Sequence, residues 1–255
     1  MEQGWFAQKP FRVRLEWGRR GAKAAARRGD ILVVVDALCF STAVALAVSR
    51  GGTVFPCATG EDTPERATLL SAEVAVHRYD VPTKGRFSLS PGTFRGVTPG
   101  TRVLLASPNG ATCARYAGAV PALFAGAFVN AKAVADAVAE LLAENADLAV
   151  TVLACGERWR EPDADDGDLR FAIEDFLAAG AIISHLPDSL SRSPEAGASG
   201  AAFRAARGDL LRQLRECGSG TELIAKGYPG DVDEAAALDT IFVAPILRDG
   251  GFTRL

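Results

Sequence analysis

The sequence has only two histidines, His77 and His185, in a chain of 255 residues. This scarcity excludes a histidine-rich zinc site and disfavours a Ser-His-Asp triad, because both need imidazole groups beside their partners. The five cysteines are scattered, and no two of them stand at the spacing of metal ligands. We therefore expect reduced thiols rather than a disulfide framework.

Long apolar runs are also missing, so no segment reaches the length of a membrane span, and residues 1–18 lack the apolar centre of a signal peptide. The net charge of −3 provides no overall positive field for nucleic acid or acidic membranes. One local basic cluster is interpreted as a solvated surface: Arg19, Arg20, Lys23, Arg27 and Arg28. We expect a soluble, cytoplasmic protein without nucleic-acid or membrane partners.

Apolar runs and turn residues predict strands that alternate with helices. The predicted strands are 13–17, 31–35, 53–57, 73–76, 102–106, 120–125, 148–154 and 241–247. The predicted helices are 41–50, 63–70, 111–117, 131–144, 169–183 and one or two within 196–217. Proline, glycine and acidic residues predict loops at 80–100 and 161–170. This alternation predicts one layered α/β domain over 1–255, with a subdivision near residue 145 left open.

Three predicted strands end in small polar segments that could form one site. In an open α/β sheet, ligands bind at the carboxyl ends of parallel strands. Asp36 ends the first of these strands, and a carboxylate there suits Mg²⁺ or a water molecule, although it also suits a simple turn. Ser41 and Thr42 follow at a helix entrance, where hydroxyl and N–H groups bind phosphate or cap the helix.

The other two segments add an amide, a carboxylate and a guanidinium group. Ser107, Asn109 and Gly110 follow the strand at 102–106, and Asn-Gly is either a ligand-binding loop or a common turn. Glu157 and Arg158 follow the strand at 148–154 and suit a metal ligand and an anion clamp. No G-x-G-x-x-G follows a predicted strand, which disfavours a dinucleotide enzyme.

Two further interpretations concern Cys155 and a pair of acids. Cys155 lacks an arginine six positions later, where Glu161 stands, so we interpret it as a packing residue rather than a nucleophile. Glu174 and Asp175 lie inside a strongly apolar helix, which favours a functional role over a solvated face. Adjacent helical residues point about 100° apart, so only one of the two can face a site squarely.

Five segments of this chain together resemble the 2-phosphosulfolactate phosphatase family. They are DALCFST (36–42), SPNGAT (107–112), ACGER (154–158), EDFLAAGAI (174–182) and DVDEAAALDTIFVAP (231–245). The resemblance implies a three-layer α/β/α fold with a mixed, largely parallel sheet. It also implies Mg²⁺-dependent hydrolysis of a phosphate ester of a sulfonated lactate, in coenzyme M synthesis.

The chain departs from the family pattern in three places. Cys39 stands where the family typically carries arginine, His77–Asp80 occupies the region of a Gly-Glu-Arg-Gly-Gly loop, and Ser219-Gly220-Thr221 replaces Ser-His-Gly. These changes remove positive charge that would stabilise a transferring phosphoryl group. Arg78, Arg158 and Arg160 are the candidates to replace that charge.

We therefore predict a phosphatase-like hydrolase of a small phosphorylated acid, with Mg²⁺ as cofactor and a homodimer left open. Four acids are the predicted catalytic residues: Asp36, Glu157, Glu174 and Asp175. Of these, Asp36 and Glu157 are the predicted metal ligands. Substrate or phosphate binding is predicted for Ser41, Thr42, Ser107, Asn109, Gly110, Gly156 and Arg158. The alternative is a non-catalytic protein that binds small anions on the same fold.

Overall fold

The computed structural model describes residues 4–58, 61, 63–163 and 167–255. Its strands are β1 Val13–Trp17, β2 Ile31–Val35, β3 Thr53–Cys57, β4 Glu73–Val74, β5 Arg102–Ala106, β6 Leu123–Gly126, β7 Val150–Ala154, β8 Glu157–Asp163, β9 Gly167–Arg170, β10 Pro245–Arg248 and β11 Gly251–Arg254. Its α-helices are α1 Gly18–Arg28, α2 Phe40–Ser49, α3 Thr63–Leu70, α4 Gly110–Tyr116, α5 Ala131–Glu144, α6 Ile173–His185, α7 Pro194–Ala206, α8 Leu210–Glu216, α9 Gly218–Ala225 and α10 Pro229–Ala235. Within the described ranges, no helix has the length and apolar character needed to cross a membrane.

Nine strands form one mixed sheet in the order β1-β7-β2-β6-β10-β11-β3-β5-β4. Most of its pairings are parallel, and the antiparallel ones all involve β10 or β11. Strands β8 and β9 form a separate antiparallel hairpin. Helices cover both faces of the large sheet, which confirms the predicted three-layer α/β class.

Strand β2 shows why the sheet needs a helical layer on each face. Its side chains are all fully buried and alternate between two cores. Ile31, Val33 and Val35 pack with α5, α6 and α7, while Leu32 and Val34 pack with α1, α2 and α4. A strand buried on both faces is a continuous apolar run, as in the sequence ILVVV.

The sheet does not present all three predicted loops along one row of parallel strands. Strands β10 and β11 separate two groups of parallel strands, and the three pairings that lead from β6 through β10 and β11 to β3 are all antiparallel. The group of β3, β5 and β4 therefore runs opposite to the group of β1, β7, β2 and β6. Five strand spacings separate β2 from β5, a distance of about 24 Å in a flat sheet. The residues after β5 nevertheless contact the end of β2, and the buried helix α2 packs on strands of both groups.

Several predicted boundaries were wrong. The predicted loop 161–170 contains the outer part of the β8–β9 hairpin, whose proline, glycine and acidic residues gave no strand pattern. As a result, Glu157 and Arg158 belong to a strand, and α6 begins at Ile173 rather than Leu169. The strand predicted at 73–76 ends at Val74, and the one predicted at 241–247 begins at Pro245.

Besides β8 and β9, four strands and helices were not predicted: α1, α9, α10 and β11. Helix α1 escaped notice because its buried face consists of glycine and alanine, without large apolar residues. The basic cluster on it is also less uniform than predicted. Arg20, Lys23 and Arg27 are exposed, but Arg28 is largely buried and pairs with Glu16 and Asp30 at 3.1 and 2.9 Å.

Candidate functional site

Asp36 is buried at the point where the chain after β5 meets the end of β2. Its Oδ2 atom accepts hydrogen bonds from the Gly110 N–H at 2.7 Å and the Ser107 hydroxyl at 3.1 Å. Its Oδ1 atom accepts only a long bond from the Phe40 N–H, at 3.4 Å. Burial raises the pKa of Asp36 despite these donors. Oδ1 is therefore the carboxylate oxygen that is freer to take a further partner.

Ser41 and Thr42 are buried and direct their hydroxyl groups at the backbone. The Ser41 hydroxyl donates to Val34 O at 3.0 Å and accepts from the Asp36 N–H at 3.1 Å. The Thr42 hydroxyl donates to Ala37 O at 2.9 Å. In this conformation both groups stabilise the turn between β2 and α2, and their binding of phosphate stays a prediction.

Asp175 joins the chain after β2 to the chain after β7. It accepts hydrogen bonds from the Ala37 N–H at 2.8 Å and the Gly156 N–H at 2.9 Å. Burial, followed by the charges of Asp36 and Glu174, raises the pKa of Asp175 well above its usual value. Gly156 has a φ of +68°, and a Cβ there would lie 2.7 Å from Leu169 Cδ1. The loop therefore needs glycine for both its conformation and its contact with the hairpin.

Glu157 and Glu174 line a narrow cavity of about 190 Å³ between the hairpin and α9. Glu157 accepts hydrogen bonds from Asn109 Nδ2 at 3.0 Å and from the Ser219 hydroxyl at 3.4 Å. Ser219 also lies near enough to Glu174 to oppose the rise of its pKa. Burial raises the pKa of both glutamates, aided at Glu157 by the charge of Asp36. The four predicted acids thus come together, with the aspartates holding loops and the glutamates facing the cavity.

The cavity opens into a cleft of about 700 Å³ beside the hairpin. Arg158 lines this cleft and donates from Nη1 to Asp168 at 3.2 Å, while its Nε and Nη2 atoms are buried without a partner. Arg170 lies over the Trp159 ring, with 5.0 Å between the guanidinium carbon and the ring centroid. Asn109 Oδ1 is likewise buried without a partner. Buried polar atoms without a partner are uncommon, so the free donors of Arg158 and the free acceptor of Asn109 indicate a site for a polar ligand.

Arg78 reaches the position where the family pattern would place an arginine. Its Nη2 atom lies 3.4 Å from Cys39 Sγ, and its Nε atom donates to Asp231 at 2.9 Å. Ser90 also donates to Asp231, at 2.8 Å. Of the two candidate arginines whose side chains the structure describes, Arg78 and Arg158, it is thus Arg78 that lies beside Cys39. The side chain of Arg160 lies outside the described part of the chain.

Ser219 was not predicted to be a site residue, although the sequence carried a signal for it. Ser219-Gly220-Thr221 stands where the family pattern has Ser-His-Gly, and the structure places the serine in the cavity lined by the two glutamates, with a hydrogen bond to Glu157. Cys155, in contrast, is fully buried in the core around α2. Burial raises the pKa of its thiol well above the ordinary value, which opposes the thiolate that a nucleophile needs.

The oxygen atoms at this site suit Mg²⁺. Among the described residues, no group of three or more His, Cys, Asp and Glu side chains is arranged to hold a metal. Mg²⁺, however, commonly uses only one or two protein carboxylates, together with water and substrate phosphate oxygens. The unpaired Asn109 Oδ1 lies beside Glu157, and the next residue, Gly110, binds Asp36. Glu157, Asn109 and Asp36 are therefore the residues that would hold the ion.

Residues 20–250 match the family described as 2-phosphosulpholactate phosphatase. The chain belongs to this family. A protein of Carboxydothermus hydrogenoformans is 30% identical over 221 residues, which cover 84% of each chain. A protein of Symbiobacterium thermophilum is 25% identical, covering 87% of this chain and 93% of its own. One of Thermosynechococcus vestitus is 25% identical, covering 92% of each. All three are named probable 2-phosphosulfolactate phosphatase.

The buried acids should make stability depend on pH. A carboxyl group whose pKa is raised by folding stabilises the protein below its unfolded pKa, and this contribution is lost as the pH rises through the folded pKa. The unfolding free energy of the wild type should therefore fall between pH 4 and pH 8. We expect this fall to be smaller in Asp175→Asn, which lacks one such group, by about 1.4 kcal/mol or more, the equivalent of one pKa unit. Urea denaturation at both pH values measures this difference.

The control is Asp147→Asn, at an exposed carboxylate outside the site. This variant should keep the pH dependence of the wild type. Asp175→Asn should also lower the unfolding free energy at pH 4. The two oxygens of the Asp175 carboxyl group accept from the Ala37 and Gly156 N–H groups, whereas an asparagine side chain has only one accepting oxygen. An unaltered pH dependence in Asp175→Asn would show that Asp175 is ionised in the folded protein as readily as in the unfolded chain.

Proposed function

We propose that this chain is a phosphoric monoester hydrolase that acts on a small phosphorylated acid of the phosphosulfolactate type, with Mg²⁺ as cofactor. The observation that carries the proposal is the cavity lined by Glu157, Glu174 and Ser219, next to the unpaired buried donors of Arg158. Family membership and the names of the three relatives support the same reaction. A role in coenzyme M synthesis is proposed from that resemblance alone.

The side chains divide the work between binding and proton transfer. Arg158 binds an oxyanion group of the substrate through its free N–H groups, and Asn109 orients the carboxylate of Glu157. Glu157 takes a proton from the attacking water as the new P–O bond forms. Glu174, whose raised pKa favours its protonated form, gives a proton to the departing alcohol oxygen. Mg²⁺, when bound, neutralises charge on the phosphoryl oxygens.

Asp36 and Asp175 act behind the cavity. Asp175 holds the chain after β2 against the chain after β7, and Asp36 holds the chain after β5. Arg78, beside Cys39, supplies positive charge on this side of the site. Because these contacts set the positions of Glu157 and Asn109, the two aspartates matter even where they do not touch the substrate.

A screen of small phosphate esters tests the proposal. We expect the protein to release inorganic phosphate from 2-phosphosulfolactate or 2-phospholactate with Mg²⁺, and EDTA to abolish the release. If the protein hydrolyses neither ester, the proposed substrate class is wrong. If the rates with and without EDTA are equal, the proposed Mg²⁺ cofactor is wrong. If a phosphorylated acid raises the melting temperature without being hydrolysed, the chain is a binding protein on the family fold.

Mg²⁺ should also stabilise the protein in the absence of substrate. Clustered carboxylates repel one another until a cation or protons neutralise them. At Mg²⁺ concentrations a hundred times the dissociation constant, binding adds about 2.7 kcal/mol to the unfolding free energy. We expect millimolar Mg²⁺ to raise the melting temperature and Asp36→Asn to remove most of that gain. Asp147→Asn is again the control, and a full Mg²⁺ response in Asp36→Asn would exclude Asp36 as a ligand.

A further inference from the structure

The buried side-chain polar atoms without a partner are concentrated in one region. Among the described residues there are four such atoms: Arg19 Nε, Asn109 Oδ1, Arg158 Nε and Arg158 Nη2. They belong to three different parts of the chain, namely α1, the turn after β5 and β8. Arg19 Nη2 lies 3.4 Å from Pro108 O, one residue before Asn109. Arg19, which the sequence assigned to a solvated surface, therefore reaches the candidate site.

Asp168 connects the two arginines. Its Oδ1 atom lies 3.2 Å from Arg158 Nη1, and its Oδ2 atom lies 3.5 Å from Arg19 Nη1. One carboxylate thus faces two guanidinium groups, which leaves one positive charge in excess. It also leaves the Nε donors of both arginines and Nη2 of Arg158 without an acceptor. An oxyanion is the ligand that satisfies such donors, because guanidinium groups match its geometry with paired N–H bonds.

The position of Arg19 has no explanation in the stability of its own helix. Arg19 lies in the first turn of α1, where the helix dipole disfavours a cation, and that turn contains no acidic residue. The hairpin packs closely on this end of the helix, since a Cβ on Gly18 would lie 3.1 Å from Leu169 Cδ1. This contact sets Asp168 of β9 beside Arg19 and orders the guanidinium group at the edge of the site.

We propose that Arg19 and Arg158 form a two-arginine subsite that binds one oxyanion group of the ligand, and that Asp168 orients both guanidinium groups in its absence. The inference deepens the proposed function and rests on it, since the ligand is then the phosphorylated acid. The oxyanion is either the phosphoryl group or the acid group, which share this chemistry. Asp168 competes with the incoming anion for the same two side chains.

Calorimetric binding of two probes, inorganic phosphate and lactate, tests the subsite without requiring turnover. We expect Arg19→Gln and Arg158→Gln each to raise the dissociation constant of one probe about tenfold, as for loss of a charge-assisted hydrogen bond. Loss of phosphate binding assigns the subsite to the phosphoryl group, and loss of lactate binding assigns it to the acid group. Arg20→Gln is the matched control, because Arg20 is the exposed neighbour of Arg19, and it should bind as the wild type does.

Asp168→Asn and Arg19→Lys give two further tests. Asp168→Asn should bind the same probe more tightly than the wild type, since it removes the competing charge. Arg19→Lys should recover part of the probe affinity that Arg19→Gln loses. If Arg19→Gln does not fold, Arg19→Lys decides, with weaker binding than the wild type expected. The subsite is overturned if the wild type binds neither probe, if the Arg19 variants bind as the wild type does, or if Arg20→Gln loses as much. A protein that binds phosphate through Arg19 but hydrolyses no ester would refute the proposed function and leave the subsite standing.

Discussion

Glu157→Gln should lower kcat about a hundredfold while the protein keeps its fold. Loss of a general base typically costs this much, or about 2.7 kcal/mol in the barrier. In the wild type, Asn109 Nδ2 donates a hydrogen bond to Glu157 at 3.0 Å. The fold should survive because the Asn109 amide can rotate, so that its oxygen accepts a hydrogen bond from the amide group of the new glutamine. Steady-state rates of phosphate release and the melting temperature of both proteins measure the two effects.

The pH profile separates this role from simple positioning. Because burial raises the pKa of Glu157, the wild-type rate should rise with pH as that carboxyl group loses its proton, and Glu157→Gln should lack this rise. Cys155→Ser is the control: its thiol is fully buried in the core, so activity should be largely retained in the folded protein. If Cys155→Ser is inactive and Glu157→Gln is not, the reaction proceeds through a thiolate and the mechanism proposed above is wrong.

The layered fold could be predicted because its strongest signals are local. Strand β2 is a continuous apolar run, which is the pattern of a strand covered on both faces, and its predicted bounds match the structure. Helix α1 could not be predicted in the same way, because glycine and alanine bury little apolar area and give a weak periodic signal. The β8–β9 hairpin was missed for a different reason, since its proline, glycine and acidic residues give no alternating apolar pattern.

The candidate site shows a similar division. Asp36, Asn109 and Glu157 could be named in advance because each follows an apolar strand. The reason given for their proximity was incomplete, since β5 runs opposite to β2 and yet its carboxyl end meets Asp36. The partners Ser219, Asp168 and Arg19 come from distant parts of the chain, and only tertiary structure brings them together.

The contacts of the four acids also explain why sequence alone could not assign their roles. Glu174 and Asp175 are adjacent in one helix, yet Glu174 lines the cavity and Asp175 accepts two backbone N–H groups behind it. Helical geometry predicted that only one could face the site, but not which one. The proposed mechanism therefore assigns proton transfer to Glu157 and Glu174, while Asp36 and Asp175 hydrogen-bond the backbone of the surrounding loops.

The position of Asp36 depends on a glycine, and Gly110→Ala should therefore destabilise the protein strongly. A Cβ at residue 110 would lie 2.4 Å from Phe40 Cδ1 and 2.8 Å from Asp36 Oδ2. Phe40 is fully buried and Asp36 nearly so, which leaves neither side chain room to withdraw. Overpacking at such a position costs about 3 kcal/mol, equivalent to a fall of about 6 to 12 °C in melting temperature for a chain of this size.

Gly197→Ala is the matched control, since Gly197 lies in helix α7 and a Cβ there would meet nothing within 4 Å. Alanine is favoured over glycine in a helix by about 0.5–1 kcal/mol, so this variant should be as stable as the wild type or more so. Gly110→Ala should also weaken the Mg²⁺-dependent gain in melting temperature, because it displaces the carboxylate of Asp36. If Gly110→Ala melts with the wild type, the chain after β5 is free to shift, and it does not hold Asp36 in a fixed position.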